Sequence, residues 1–210
     1  MAMVITLAQQ KGGAGKTTLA ANLAVAFAAA RRSVAVLDTD PQRSLARWVA
    51  LRNQRREQVA PIGFSDLSGW RLRNELERIR ALYDVLIVDS PPQIQGDARA
   101  AVRAADLVLV PVQPSPPDLW AAEGTLALAA EEKRKVALVL NRVPASSRLR
   151  ASVEADIARR SLPLLRATLG NRTGFAGAFA LGLGITETAP RSLGAAELHA
   201  LVSEIEEVLR

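Results

Sequence analysis

Residues 11 to 18 read Lys-Gly-Gly-Ala-Gly-Lys-Thr-Thr, and this run narrows the possible folds more than any other feature of the chain. The apolar stretch Val4-Ile5-Thr6-Leu7 precedes it and reads as a buried strand. An Ala-rich run from Leu19 to Phe27 follows and reads as a helix. Strand, glycine-rich turn and helix is the context in which a backbone wraps a phosphate. Gly12, Gly13 and Gly15, with Ala14 between them, let the chain turn tightly and bring N–H groups close to phosphate oxygens. A helix starting near Lys16 adds the positive end of its dipole. The spacing puts Lys16 in reach of β- and γ-phosphates and the Thr17 hydroxyl in reach of Mg²⁺, with Thr18 completing the loop.

The rest of the chain keeps the same rhythm. Val34–Leu37, Val85–Val88, Leu107–Val110 and Val136–Leu140 are short apolar runs without polar alternation, as expected of strands covered on both faces. Helical patterns fall between them at about 19–31, 44–56, 69–81, 97–104, 118–132 and 147–160. The alternation predicts an α/β fold, doubly wound around a mostly parallel sheet with helices on both faces. No repeat, low-complexity linker or composition break interrupts the 210 residues, so a single P-loop domain is expected over 1–210.

In an open parallel sheet, the carboxyl ends of the strands line the ligand crevice. Asp38-Thr39-Asp40-Pro41-Gln42 follows one such end, and Asp89 closes another, Val85-Leu86-Ile87-Val88-Asp89. The first is also an ordinary turn and helix-start pattern, and the second also suits a turn cap. Behind a phosphate loop, both read as carboxylates at a metal–phosphate site. Pro91 and Pro92 stop the strand beyond Asp89. Asn141 and Arg142 end the run 136–140. The Asn amide both donates and accepts, which suits a base edge and equally suits a turn.

The loop departs from the common phosphate-binding pattern at one place. A glycine is expected five residues ahead of Gly15; Gln10 stands there, with a second lysine, Lys11, beside it. That pattern resembles the deviant P-loop of the ParA/MinD family of ATPases. The resemblance implies ATP and Mg²⁺ as ligands, and a homodimer in the ATP state in which Lys11 touches the partner's nucleotide. The run at Asp38 resembles the family's Asp-x-Asp-Pro-Gln motif. By that likeness Asp40 orients or activates the attacking water, Asp38 supports the magnesium shell or switch region and Asp89 holds the metal. Asn141 would contact adenine with Arg142 alongside, and the loop Pro111–Asp118 would lie beside the base. Gly184-Ile185-Thr186-Glu187 and a closing helix near Ala195–Leu209 resemble the ends of short ParA-type partition ATPases. A phosphate loop this near Met1 fits the short form, with no preceding helix-turn-helix domain.

Composition removes some relatives of that superfamily. There are no cysteines, which excludes disulfides, cysteine-ligated zinc and iron–sulfur clusters, and His199 is the only histidine. No apolar stretch approaches the ~20 residues of a membrane span, and the Ala-rich run sits behind the phosphate loop without a leading basic segment. A cytoplasmic, nucleoid-associated protein is expected. Three branches share the motifs: a DNA-bound positioning ATPase, a membrane-bound one, and a metabolic ligase. The closing helix has an apolar stripe and a polar face with Glu197, Glu204, Glu206 and Glu207, which anionic lipid repels. No membrane partner is expected.

The net charge is +6, and residues 142–172 hold seven arginines against Glu154 and Asp156. Such a patch predicts binding to the phosphate backbone of non-specific DNA. Arg148, Arg150, Arg166 and Arg172 are the expected contacts; the last two flank Ala167–Asn171, outside the predicted nucleotide motifs. A second cluster, Arg43, Arg47, Arg52, Arg55 and Arg56, surrounds Trp48 and suits either DNA or a protein partner. The resemblance adds a ParB-like adaptor that stimulates hydrolysis, with the cargo left open.

Overall fold

The structure is a computed structural model that describes residues 2–66, 71–92, 96–146 and 148–210. In chain order these form β1 (Met3–Leu7), α1 (Lys16–Ala29), β2 (Val34–Asp38), α2 (Ser44–Asn53), β3 (Gly63–Asp66) and α3 (Leu72–Ile79). Next come β4 (Val85–Asp89), α4 (Asp97–Ala104), β5 (Leu107–Val112), α5 (Pro116–Glu131) and β6 (Lys135–Val143). The chain closes with α6 (Arg148–Arg159), β7 (Leu164–Gly170), α7 (Thr173–Ala180), α8 (Ile185–Thr188) and α9 (Leu193–Leu209). The helical pattern expected from 69 begins on residues outside those described.

All seven strands pair in parallel, in the order β3-β2-β4-β1-β5-β6-β7. β1 is central: β2 and β3 lie to one side, β4 returns to insert between β1 and β2, and β5, β6 and β7 then continue outward on the other side. That reversal is the switch point where open α/β sheets hold ligands. β1, β2, β4 and β5 are buried almost throughout, because helices cover both faces. Ile5, Leu7, Val36 and Ile87 point to the side of α1 and α9, while Val4, Leu37, Leu86 and Val88 point to the side of α3.

α1 lies against the sheet with α2, α7, α8 and α9 around it. Every residue from Leu19 to Phe27 is buried, so its alanines serve close approach on all sides. Phe27 is fully buried among these elements; truncating it to Ala would cost about 3–5 kcal/mol. α9 turns Leu198, Leu201, Val202 and Ile205 inward, and the Ser192 hydroxyl caps its start by accepting from Ala195 N at 3.2 Å.

Two strands escape the sequence pattern. β3 and β7 are the sheet edges. β3 alternates half-buried and exposed positions, and β7 pairs irregularly with β6. β5 also runs further than expected, through Pro111 to Val112. β1 stops pairing with β5 at Leu109, so the missing N–H of Pro111 falls where no neighbouring strand needs it. The carbonyl of Pro111 accepts from the Gln9 amide at 3.4 Å instead.

Candidate nucleotide site

Three strands end level with one another. Leu7 pairs with Asp89, and Asp89 pairs with Asp38. The phosphate loop leaves from Leu7, so both carboxylates stand on the neighbouring strand ends, spaced roughly 5 Å per strand. Side chains sew the loops together. Ser90 Oγ donates to Leu7 O at 2.7 Å, and Thr39 Oγ1 donates to Asp89 O at 2.9 Å.

The phosphate loop needs its glycines. Gly13 and Gly15 have φ of 78° and 92°, in the region that disfavours side chains. A Cβ on Gly15 would also lie 2.6 Å from Asn141 Nδ2. That amide donates to Ala14 O at 2.8 Å, so Asn141 holds the loop as well as facing the site. Lys16 opens α1, is buried, and donates from Nζ to Gln9 O at 3.1 Å. Burial pushes its pKa down, and the charges of Asp89 and Asp40 pull it back up.

The three acids differ in what they already hold. Asp38 is buried and fully engaged: Oδ1 accepts from Asp40 N at 3.1 Å and Oδ2 from Ala46 N at 2.9 Å. Burial raises its pKa, while these N–H groups lower it. It therefore fixes the start of α2 and the placement of Asp40. Asp40 is half-buried, and its Oδ1 accepts from Gln42 N at 2.9 Å. A cavity of about 400 Å³ opens beside it between Arg43, Asp66 and Asp97.

Asp89 is fully buried; among the described residues neither carboxylate oxygen meets full hydrogen-bond geometry, and the Thr17 hydroxyl is the one donor close enough to favour its charged form. Burial pushes its pKa up to about 7; Asp38 and Asp40 add to the rise, and Thr17 and Lys16 oppose it. Buried polar groups are seldom left unpaired, so such an acid next to the Thr17 hydroxyl fits a divalent cation. Thr17 and Asp89 are the residues that would hold Mg²⁺.

Lys11 is already occupied. Its Nζ lies 2.6 Å from Asp118 Oδ2, and Asp118 is 3% exposed. The Ser115 hydroxyl reaches the same oxygen at 2.5 Å and caps α5. The Pro111–Asp118 loop thus sits against Gln9 and Lys11, and not on the cavity where a base would fit.

That cavity, of about 220 Å³, is bounded by Gly15, Thr18, Asn141, Arg142, Asn171 and Phe175. Half of its wall comes from the β7–α7 junction, which sequence reasoning missed. The signal available was Asn171-Arg172-Thr173 ahead of a small-residue helix, a start pattern that the arginine count obscured. Arg172, expected on a DNA face away from the nucleotide, lines this cavity.

The arginines of 142–172 are largely matched. Arg172 pairs with Glu197 at 2.6 Å, and Arg166 pairs with Glu204 and Glu207 at 3.3 and 3.0 Å, all on α9. Arg150 pairs with Glu154 at 2.8 Å. Arg159 pairs with Asp156, and Arg160 with Glu123 at 2.8 Å. The excess counted along the chain is offset largely by acids folded onto it from elsewhere, and Arg142 and Arg148 are the two arginines of the stretch with no side-chain partner among the described residues.

A phosphate loop at the switch point, an orphaned buried acid beside a threonine, and a base-sized cavity define a P-loop nucleotide-binding domain. Residues 5–183 match the family described as the CobQ/CobB/MinD/ParA nucleotide binding domain, and the chain belongs to that family. It is similar to the maintenance of carboxysome distribution protein A of Halothiobacillus neapolitanus, 29% identical over 97% of this chain and 96% of that protein. It is also similar to the chromosome partitioning protein ParA of Caulobacter vibrioides, 34% identical over 52% of this chain and 55% of that one. Its fold is that of the septum site-determining protein MinD with Mg-ADP from Pyrococcus horikoshii, with a TM-score of 0.82, 20% identity and coverage of 99% and 97%. No described helix is long and apolar enough to cross a membrane.

Proposed function

We propose that this chain is a magnesium-dependent ATPase that dimerises when it holds ATP, binds duplex DNA without sequence preference in that state, and positions a cargo through a ParB-like adaptor. The observation that supports it most is the second lysine, Lys11, in the phosphate loop of a chain related along nearly its full length to a carboxysome distribution protein. The backbone from Gly12 to Thr18 and the Lys16 ammonium receive the phosphates. Mg²⁺ held by Thr17 and Asp89 would offset the charge on the β- and γ-phosphates. Asp40 orients the attacking water, on a loop that Thr39 fastens to the end of β4. Asn141, Asn171 and Phe175 take the base.

Lys11 reaches a partner's nucleotide only by leaving Asp118. ATP-driven association replaces that 2.6 Å pair with a phosphate contact. The test is light scattering with ATP·Mg²⁺ and with ADP·Mg²⁺, alongside binding to duplex DNA at ~50 mM salt, where phosphate contacts are strong. A dimer only with ATP, able to hold DNA, is the expected result. A monomer indifferent to both would sink this reading and favour a small-molecule ligase of the same family.

A further inference from the structure

We infer that the DNA backbone docks on Arg47, Arg55 and Arg56, the exposed arginines of α2 and of the turn that follows it. This rests on the DNA-binding reading above and gives that activity a place. α2 carries no acid, and Glu57 is the only one between residues 43 and 58. Arg47, Arg55 and Arg56 are exposed, and none makes an ion pair or side-chain hydrogen bond among the described residues. The other two arginines of the cluster are occupied: Arg43 pairs with Asp66, and Arg52 is buried. Exposed Asn53, Gln54 and Gln58 amides add neutral donors of the kind that contact phosphate.

The patch is long and stiff enough for the task. From Arg47 to Arg55 is eight residues of helix and helical turn, about 12 Å. Duplex DNA presents one charge per ~1.7 Å, so several phosphates fall along that length. Arg52 fixes the end of the helix. Its guanidinium reaches Glu187 at 2.8 and 3.0 Å, Ala60 O at 2.9 Å and Gly182 O at 3.3 Å, and lies 5.5 Å from the Trp48 ring centroid. Trp48 Nε1 donates to Leu183 O at 3.2 Å. Beyond Asn53 the turn continues through Arg55 N to Arg52 O at 2.8 Å and Gln58 N to Arg55 O at 2.8 Å. A rigid display loses little conformational entropy on binding.

The same helix begins at the nucleotide. Asp38 caps its first turn through Ala46 N, and the intervening loop carries Asp40. A rearrangement of that loop on ATP binding therefore carries the arginines with it. A protein partner would want an apolar or aromatic anchor at the centre of its contact. Here the aromatic residue, Trp48, is fully buried, and arginines and amides dominate the outer surface, with Leu51, 38% exposed, its one large apolar side chain.

The experiment measures binding of the full chain with ATP and Mg²⁺ to two duplexes of unrelated sequence across a salt series. The variants are R47A/R55A/R56A and its charge-keeping counterpart R47K/R55K/R56K. The alanine variant should lose affinity equally for both duplexes. Its log–log salt slope should shrink by up to ~2.7, at ~0.9 per lost phosphate contact. Basal ATP hydrolysis and melting temperature should stay at wild-type values, and the lysine variant should bind DNA nearly as wild type does. Undiminished DNA binding by the alanine variant, with wild type also binding, would overturn this placement alone, as would a loss confined to adaptor stimulation. Wild-type protein that ignores DNA in every nucleotide state would overturn the DNA-binding reading, and this placement with it.

Discussion

Residues 142–172 and residues 43–56 are both rich in arginine, yet the fold treats them in opposite ways. The first stretch lies beside α9, whose Glu197, Glu204 and Glu207 meet Arg172 and Arg166. The second lies on a helix with no acid of its own and, although Arg43 and Arg52 are paired, leaves Arg47, Arg55 and Arg56 unmatched among the described residues. Charge summed along a sequence says little about charge displayed in space. The strand-end crevice extends the contrast: buried Asp89 has only the nearby Thr17 hydroxyl as a donor to favour its charge, while Asp38 beside it accepts from two backbone N–H groups. Matched charges should answer mutation in stability, and unmatched ones in binding or chemistry.

The largest effect should come from Lys16, whose Nζ is held by one carbonyl at 3.1 Å. Lys16→Ala should weaken ATP binding by ~10³-fold or more, since no other side chain of the loop delivers a buried cation to the phosphates. Calorimetric titration with ATP checks this, and melting temperature should stay within a few degrees of wild type. A variant that binds ATP normally would break the assignment of the crevice as the phosphate site. Next in size is Asp40→Ala, which should keep ATP affinity and lose ~10²-fold or more in hydrolysis, in the range of a lost acid–base or orienting group. Equal turnover would remove Asp40 from its role.

Asp89 should separate chemistry from stability in one residue. Its carboxyl is pushed up to about 7 from 3.8, so ionisation is opposed in the folded chain. For an acid raised on folding, stability falls as pH rises from about 4 to about 7, and the penalty is complete above that. Asp89→Asn should therefore melt several degrees above wild type at pH 8 without Mg²⁺. It should also lose Mg²⁺-dependent hydrolysis. Wild-type melting behaviour at pH 8 would contradict an unpaired buried carboxylate.

The sequence exposed the fold where physics acts locally. Central strands buried on both faces read as continuous apolar runs, and the glycines at 13 and 15 mark a backbone that only glycine adopts easily. The edge strands β3 and β7 did not show, because one face of each is open and their pattern is weak. The candidate acids Asp38, Asp40 and Asp89 were legible because they sit at or just after strand ends in sequence. The far wall of the base cavity was not, since Asn171 and Phe175 meet Gly15 only through the β6–β7 pairing. The pairing of Arg166 and Arg172 was hidden for the same reason: Glu197 and Glu204 lie 25 and 38 residues away.

Arg172 tests the matched side of the comparison directly. Arg172→Glu would set a carboxylate against Glu197, which also accepts from Gly170 N at 3.0 Å. The loss of a charge-assisted pair at a half-exposed position, discounted for solvent screening, amounts to about 1–2 kcal/mol. In a chain of this size that lowers the melting temperature by about 2–8 °C. Weaker ATP binding should accompany it, because Arg172 borders the base cavity. The corresponding change at Arg47 should leave both quantities unmoved. If Arg172→Glu left both unmoved and abolished DNA binding, the contrast between the two stretches would be reversed.

The smallest effect lies in the acid limb of the stability curve. Burial alone would raise Glu204 and Glu197, yet both sit below their ordinary 4.5. The N–H groups of Arg166 and Ala167 and the Arg166 guanidinium hold Glu204 down; the Arg172 guanidinium and Gly170 N–H hold Glu197 down. An acid lowered on folding stabilises fully above its unfolded value, and that contribution fades as pH falls through the folded one. Wild type should therefore lose stability below about pH 4.5, partly at this seam. R166A/R172A should start from lower stability at pH 7 and lose less on going to pH 3, with the two curves converging by less than about 1 kcal/mol per pair. R47A/R55A/R56A should track wild type along the whole limb. Denaturant midpoints at pH 7, 5, 4 and 3 decide it: parallel curves for wild type and R166A/R172A would mean the α9 pairs are not the matched charges they are taken for here.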